Sequence, residues 1–196
     1  MVAPVILTIL SYLLGSVPSG FLVGSSAGVD VRSAGSGNIG ATNVARTLGW
    51  KKGAVTLLAD VAKGFLPVLA AWLLDLGAAA AAAAGLAAFA GHLYPVFLGF
   101  KGGKGVATAA GVYLGVMPLG LLILLGVFAL VTLVSRRVSP ASVAAGVAAP
   151  VVAWALSCPV ETVWMSLIIA VLVVVRHREN IRRLMAGEEA PFELRR

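Results

Sequence analysis

Three segments of this chain combine glycine, hydroxyl, amide and basic residues in patterns that can bind phosphate groups. The second of them, residues 91–108, contains Phe-Lys-Gly-Gly-Lys-Gly at positions 100–105, between strongly apolar stretches. Glycines leave backbone N–H groups uncovered and let the main chain approach an oxyanion, and lysine ammonium groups supply the opposite charge. The first polar segment, residues 33–46, and the third, residues 176–189, share this chemistry. We expect the three polar segments to form one active site at a membrane.

The first polar segment contains the pattern G-x-G-x-x-G at residues 35–40. A dinucleotide-binding loop with this pattern needs a preceding strand and a βαβ unit, whereas the flanks here are apolar helices, which excludes that function. What remains is a loop with exposed amides, hydroxyl groups and a terminal Arg46, whose guanidinium can form two parallel hydrogen bonds with an oxyanion. An ordinary glycine-rich loop is the alternative.

The second polar segment lacks a Walker A loop, in which Gly-Lys is followed by Ser or Thr. Gly105 follows Lys104, so nucleotide hydrolysis is not indicated. Lys101 and Lys104 could instead anchor a helix end at the lipid headgroups. His92 stands near the end of an apolar stretch, and both a packed, hydrogen-bonded histidine and a ligand-binding histidine fit that position.

Asp60 and Lys63 are three residues apart near the start of an apolar stretch, so they share one face of a helix. Each would cost about 2.5 to 3.5 kcal/mol if it stood alone at the bilayer centre. We therefore expect a structural ion pair, with direct substrate contact as the alternative.

The third polar segment continues a helix out of the last apolar stretch. His177 and Asn180 are three residues apart and share a face. Attraction to anionic lipid headgroups explains four basic residues of the tail, Arg182, Arg183, Arg195 and Arg196. Ser139 and Pro140 read as an N-cap and first position of a helix, and that helix could present Ser142 to the site.

The composition identifies the membrane as the solvent. Of 196 residues, 60% are hydrophobic and 12% are charged, and the mean hydropathy is +1.00, which leaves too few polar residues to cover a soluble domain. The net charge of +7 does not indicate nucleic-acid binding, because the cations lie in loops between apolar stretches without aromatic residues for base stacking. The single Cys158 excludes an internal disulfide framework, and we interpret it as a packing residue.

The distribution of basic residues predicts the topology through the positive-inside rule. If every basic cluster is cytoplasmic, each apolar stretch between two clusters crosses the membrane twice. The expected breaks lie at residues 75–77, at Pro118 and at residues 157–159. With a first span at residues 4–23, this gives a seven-transmembrane-helix bundle with the N-terminus outside and the C-terminus in the cytoplasm.

The stretch at residues 106–134 fits two helix counts, because its two halves are each shorter than the ~20 residues of a full span. We expect a short-helix hairpin there. The alternative is a five-helix protein in which this stretch is one long helix and Arg136 and Arg137 are outside.

Three ordered motifs together resemble the PlsY family: Gly-Ser-Gly-Asn-Ile-Gly-Ala-Thr-Asn at residues 35–43, Gly-His followed by Phe-Lys-Gly-Gly-Lys-Gly-Val-Ala-Thr within residues 91–108, and His-Arg-Glu-Asn-Ile at residues 177–181. Members are bacterial membrane acyltransferases that move a fatty acyl chain from acyl phosphate to glycerol-3-phosphate. The resemblance implies an all-α integral membrane protein with a single domain over residues 1–196. It further implies lysophosphatidic acid and phosphate as products, and an active site that faces the cytoplasm at the bacterial inner membrane.

By that resemblance, Ser36, Arg46, Lys104, Ser142, His177 and Asn180 serve substrate binding and catalysis. The residues that we expect to be catalytic are Ser36, Lys104, His177 and Asn180. The residues that we expect to bind substrate are Gly35, Gly37, Asn38, Thr42, Asn43, Arg46, His92, Lys101, Gly102, Gly103 and Ser142. We expect acyl phosphate, glycerol-3-phosphate and membrane lipid as partners, no nucleic acid, no cofactor, no metal and a monomer.

The expected mechanism is direct attack of the sn-1 hydroxyl on the acyl carbonyl, without an acyl-enzyme. The His-x-x-x-x-Asp motif of other glycerolipid acyltransferases is absent, because Phe97 and Arg182 stand where the aspartate would be. An acyl phosphate has a good leaving group, so positioning and oxyanion stabilisation suffice. We expect Lys104 and Arg46 to hold phosphate, and the amides of residues 35–37 and 102–103 to bind phosphate or oxyanion.

Two steps of this mechanism stay open at the level of sequence. Ser36 and Asn180 would orient the attacking hydroxyl, and its proton would go to the departing phosphate or to His177. Two other classes of function also remain, a membrane carrier for an organic phosphate and a lipid-binding scaffold without catalysis.

Overall fold

The computed structural model describes residues 2–191, which form ten α-helices and contain no β-strand. The helices are α1 (Val2–Gly15), α2 (Ser19–Ser25), α3 (Ala41–Leu48), α4 (Trp50–Leu73), α5 (Gly77–Leu93), α6 (Val106–Val116), α7 (Pro118–Ser135), α8 (Val138–Ala155), α9 (Val160–Arg176) and α10 (Arg178–Met185), with a short 3-10 helix at Val96–Leu98 between α5 and α6. The predicted all-α integral membrane architecture is confirmed.

The helices break where local chemistry predicts. The turn between α4 and α5 contains Asp75 and Gly77, both with positive φ, and Pro118 begins α7, where a missing N–H costs nothing. Pro159 caps α9. The alternative with one long helix over residues 106–134 is wrong, because the chain leaves helical geometry at Met117, with φ −152° and ψ 69°.

Among the described residues, five helical stretches are long and apolar enough to cross a membrane: Val2–Ser25, Trp50–Leu73, Gly77–Leu98, Pro118–Ser135 and Val138–Ala155. The helix α9 passes that test only together with α10, from which it is bent by 55°. The helix α6 has 11 residues, about 16 Å of rise, and is too short to span a hydrocarbon core of about 30 Å. A multi-pass membrane protein is therefore supported, whereas seven crossings and the orientation of the termini stay predictions.

The chain forms two compact units, the first extending to Gly115 and the second beginning at Val116. A single domain stays a prediction. In the first unit, α4 and α5 are an antiparallel pair, since Gly85 packs against Val68 and His92 lies beside Asp60. The start of α4 and the end of α5 therefore share one end of the unit, which carries the first and second polar segments.

In the second unit, α8 and α9 also form an antiparallel hairpin. Gly146 of α8 packs against Val173 of α9, and Ser139 is hydrogen-bonded to Asn180. The turn between α7 and α8 therefore lies at the same end of this unit as the junction between α9 and α10. That end carries the third polar segment.

Candidate active site

Asn43 determines the shape of the first polar segment. It is buried near the start of α3, and its Nδ2 donates hydrogen bonds to the carbonyl oxygens of Val31 at 2.9 Å, Ala34 at 3.0 Å and Asn38 at 2.8 Å. Its Oδ1 accepts from the backbone N–H of Ser36 at 2.8 Å. The carboxamide of Asn43 therefore fixes the loop that carries Ser36.

Two glycines and a second asparagine support this loop. Gly35 and Gly37 have φ of 59° and 70°, and a Cβ at Gly35 would collide with Oδ1 of Asn43. Asn38 accepts a hydrogen bond on Oδ1 from the backbone N–H of Gly40 at 2.8 Å. The glycine-rich motif of the first polar segment thus contains residues that stabilise the loop through contacts within it.

Replacing Asn43 with aspartate should lower kcat/KM by about ten-fold or more, because the acceptor for Ser36 N–H remains but the two N–H donors that the three carbonyls share are lost, at about 0.5 to 1.5 kcal/mol each. The measurement is acyl transfer by the purified variant. Thr47→Val is the matched control, since it removes a side-chain bond to the α3 backbone and should stay within two-fold of wild type. Equal activities of the two variants would contradict the role of Asn43.

Three polar side chains of this segment are accessible to a ligand. The side chain of Ser36 is exposed, and Thr42 and Arg46 are half-buried. Thr42 and Arg46 are four residues apart on α3, so they share one face. The side chain of Arg46 makes no hydrogen bond or ion pair with any residue in the described part of the chain.

The second polar segment folds back onto the end of α5. The N–H of Gly102 donates to the carbonyl of Leu93 at 3.2 Å, and the N–H of Gly103 donates to the carbonyl of His92 at 3.1 Å. The N–H of Gly37 similarly donates to Ala34 at 3.0 Å. The N–H groups of Gly37, Gly102 and Gly103 are thus used within the chain, and the expectation that these amides bind phosphate or oxyanion stays a prediction.

The glycines of the second polar segment serve close packing instead. A Cβ at Gly102 would collide with the carbonyl of His92, and a Cβ at Gly103 would collide with its imidazole Nε2. Lys101 is exposed, and Lys104 is half-buried between the buried Gly103 and Gly105. The backbone on both sides of Lys104 is thus held against α5, which restricts where the ammonium group can lie.

A buried charged group lies beneath this loop. Asp60 and Lys63 are 1% and 4% exposed, and Lys63 Nζ lies 2.9 Å from Asp60 Oδ1 and donates to the carbonyl of Val17 at 2.9 Å. The Nδ1 of His92 is 3.6 Å from the same Asp60 oxygen. The predicted ion pair is confirmed, and it extends to the histidine that supports the second polar segment.

An apolar cluster joins the first and second polar segments within the first unit. Val31, Ile39 and Val44 are buried together, and Leu98 of the 3-10 helix packs against them. Through this contact, the first and second polar segments pack against the same apolar cluster. The helix that carries Arg46 and the loop that carries Lys104 therefore share a core.

His177 of the third polar segment is buried at the bend between α9 and α10. Its Nδ1 lies 2.8 Å from the carbonyl oxygen of Val173. A carbonyl oxygen can only accept, so in the neutral ring Nδ1 carries the proton and Nε2 is the basic nitrogen. This tautomer is the one that a general base at Nε2 requires.

Asn180 is held by two groups that sequence reasoning did not place in the site. Its Nδ2 donates to Ser139 Oγ at 2.9 Å and to Glu189 Oε1 at 2.7 Å. Ser139 does not cap α8 as expected, because the N-cap is Arg137. Ser142 is buried and donates to the carbonyl of Val138 at 2.9 Å.

The structure thus groups the predicted residues by unit. Ser36, Arg46, His92 and Lys104 lie at one end of the first unit, and Ser142, His177 and Asn180 lie at one end of the second. The expectation that all three polar segments form one site stays a prediction. Within residues 2–191, no group of three or more His, Cys, Asp or Glu side chains could hold a metal ion.

Comparisons with known proteins agree over nearly the whole length. A family model described as glycerol-3-phosphate acyltransferase matches residues 5–187. The glycerol-3-phosphate acyltransferase of Geobacter sulfurreducens is 51% identical over 193 residues, which are 98% of this chain and 100% of the relative. That of Aquifex aeolicus is 44% identical over 198 residues, covering 95% of this chain and 97% of the relative.

Solved structures give the same result. One is described as PlsY (YgiH), an integral membrane glycerol 3-phosphate acyltransferase in its glycerol 3-phosphate form; it is 43% identical with a TM-score of 0.93, covering 97% of this chain and 96% of the other. The lysophosphatidic acid form is 42% identical with a TM-score of 0.91 and the same coverage. The resemblance to the PlsY family is therefore confirmed, and the chain belongs to the glycerol-3-phosphate acyltransferase family.

Proposed function

We propose that this membrane enzyme of phospholipid synthesis takes a fatty acyl chain from an acyl phosphate and transfers it to the sn-1 hydroxyl of glycerol-3-phosphate. The sn-1 oxygen bonds to the acyl carbon, and the bond between that carbon and the phosphate oxygen breaks. The products are lysophosphatidic acid and inorganic phosphate. Solved relatives in glycerol 3-phosphate and lysophosphatidic acid forms support the acceptor and the product.

The observation that carries this proposal is the placement of two cations on restrained backbone, Arg46 on α3 and Lys104 in the loop before α6. Asn43 organises the loop that leads to Arg46, and the packing of Gly102 and Gly103 on His92 restrains Lys104. Both substrates bear phosphate, so two cations on restrained backbone segments match two anionic groups. The family assignment removes the support for a carrier or a lipid-binding scaffold.

The proton of the attacking hydroxyl has two acceptors in this proposal, the departing phosphate and Nε2 of His177. The hydrogen bond between His177 Nδ1 and the carbonyl of Val173 supports the second, because it leaves Nε2 unprotonated in the neutral ring. Ser36 and Asn180 orient the hydroxyl. No acyl-enzyme forms along this route.

The location follows from the charge distribution. We place the enzyme in the bacterial inner membrane, with the polar segments facing the cytoplasm, because the basic clusters lie at the ends of helices that carry those segments. Glycerol-3-phosphate is water-soluble, and a site at the inner leaflet admits it from the cytoplasm while the acyl chain stays in the lipid. A monomer suffices for this arrangement.

The donor can be tested with purified protein and two acyl donors. With palmitoyl phosphate and glycerol-3-phosphate we expect stoichiometric release of phosphate and formation of lysophosphatidic acid, and with palmitoyl-CoA we expect no transfer above background. Palmitoyl phosphate without glycerol-3-phosphate is the control for hydrolysis. Transfer from palmitoyl-CoA with none from palmitoyl phosphate would overturn the donor assignment but leave the acyltransferase function intact.

A further inference from the structure

After α10 ends, the chain turns back, and the side chain of Glu189 contacts α8 and α10. The turn follows Gly187, which has φ of 75°, and the N–H of Glu188 donates to the carbonyl of Arg183 at 2.8 Å, an arrangement that ends a helix and reverses the chain. The side chain of Glu189 is only 9% exposed. A glutamate is rarely so buried unless it has partners.

The partners of Glu189 come from two separate helices. Its Oε1 accepts from Asn180 Nδ2 at 2.7 Å and from the hydroxyl of Ser139. Its Oε2 accepts from Arg183 Nε at 2.8 Å, and its backbone carbonyl accepts from Arg137 Nε at 2.7 Å. Three side-chain donors thus converge on the two carboxylate oxygens, and an ionised carboxylate can accept from all of them.

Burial alone would raise the pKa of Glu189. Hydrogen bonds from Ser139, Asn180 and Arg183, with the charge of Arg183, outweigh that effect and bring the pKa below its usual value. The carboxyl group is therefore ionised at neutral pH, as its contacts require.

We propose that Glu189 is a positioning residue for acyl transfer, which fixes the orientation of the Asn180 carboxamide through Nδ2 and ties it to Ser139 at the start of α8. Asn180 lies in the first turn of α10, three residues after His177 at the N-cap, and an amide held in one orientation there presents its oxygen consistently to the attacking hydroxyl. Without the carboxylate, the Asn180 amide can rotate and exchange its oxygen and nitrogen. This role rests on the proposed function for its chemistry, but the orientation of Asn180 can be measured without any reaction.

The first measurement is nuclear magnetic resonance of the full chain labelled with 15N-asparagine in detergent. The sequence has three asparagines, Asn38, Asn43 and Asn180, so the side-chain amide spectrum is simple to assign. In Glu189→Gln we expect the Asn180 signals to shift and the Asn43 signals to stay in place. Unchanged Asn180 signals would overturn the proposal whatever the enzyme does.

The second measurement is steady-state kinetics on the same variant. We expect kcat to fall about 10- to 100-fold, because a small misplacement of a positioning group costs that much, with KM for glycerol-3-phosphate within two-fold. Arg183→Gln is the matched control, since it removes a donor to the other carboxylate oxygen and leaves Asn180 and Ser139 in contact with Glu189. It should keep kcat within about three-fold of wild type, given the small worth of a half-exposed ion pair.

A double-mutant cycle separates positioning from a general structural role. If Glu189 acts through Asn180, Glu189→Gln should cost little more once Asn180→Ala has been made. Multiplicative losses in the cycle would overturn the proposal. Should Glu189→Gln not fold, Ser139→Ala tests the same link, and unchanged Asn180 signals together with wild-type kcat would sink it. An inactive wild type with palmitoyl phosphate would instead refute the donor assignment and leave the resonance result standing.

Discussion

Replacing Lys104 with alanine should lower kcat/KM by about ten-fold to more than a hundred-fold, because a charge-assisted hydrogen bond contributes about 1.5 to 3 kcal/mol. The effect depends on restraint as well as charge. The buried Gly103 and Gly105 flank the half-buried lysine, and the loop is hydrogen-bonded to α5 through Gly102 and Gly103. A restrained ammonium group stabilises a developing negative charge without having to be ordered during the reaction.

The matched control for this variant is Lys52→Ala. It removes the same charge from the first turn of α4, where the side chain is exposed, and screening makes such a charge worth little. We expect activity within two-fold of wild type. Initial rates with palmitoyl phosphate over a range of glycerol-3-phosphate concentrations give kcat and KM for both variants. If Lys104→Ala retained activity within two-fold of wild type, the assignment of Lys104 to phosphate would be wrong.

The helix breaks could be predicted because their causes are local. Glycine with positive φ at residue 77 and proline at position 118 end or begin a helix through their own backbone chemistry, and each stands inside an apolar stretch too long for one span. The number of membrane crossings, by contrast, could not be predicted from local causes. The helix α6 has 11 residues, and neither composition nor length says how deeply such a helix enters the lipid.

In the candidate site, too, features with a local cause could be predicted and features that depend on tertiary contacts could not. Sequence pattern identified the residue types, but it could not tell whether a glycine amide points toward a ligand or back to its own chain. Gly102 and Gly103 donate to the carbonyls that end α5, because the loop reverses there and the last carbonyls of a helix need partners. The sequence motif thus predicted which residues form this loop, but it did not predict the direction of their backbone donors.

Glu189 was missed for a related reason. It follows a basic stretch that membrane topology explains by itself, and it is nine residues from Asn180 and fifty from Ser139. No periodic pattern links positions at those separations. The available signal was a pair of acidic residues, Glu188 and Glu189, directly after a glycine in a basic tail, which identifies a helix end but not which carboxylate makes a contact or with which helix.

Replacing Asp60 with asparagine should destabilise the protein by about 3 to 5 kcal/mol, because the positive charge of Lys63 would stay buried without its counterion. Lys63 is 4% exposed, and the carbonyl of Val17, its other partner, cannot neutralise it. At about 2 to 4 °C per kcal/mol for a chain of this size, Tm should fall by roughly 6 to 20 °C. Thermal unfolding of the purified protein in detergent measures the shift.

The double variant Asp60→Asn with Lys63→Met decides whether the loss comes from the stranded charge. It leaves no buried charge at the pair, and replacing both members of such a pair by groups of similar volume is often neutral or stabilising, so most of the lost Tm should return. Asp75→Asn is the control, because that carboxylate is exposed in the turn between α4 and α5 and its φ of 52° suits asparagine. A double variant as unstable as Asp60→Asn alone would instead assign the loss to the contact between Asp60 and His92, and so to the packing beneath Lys104.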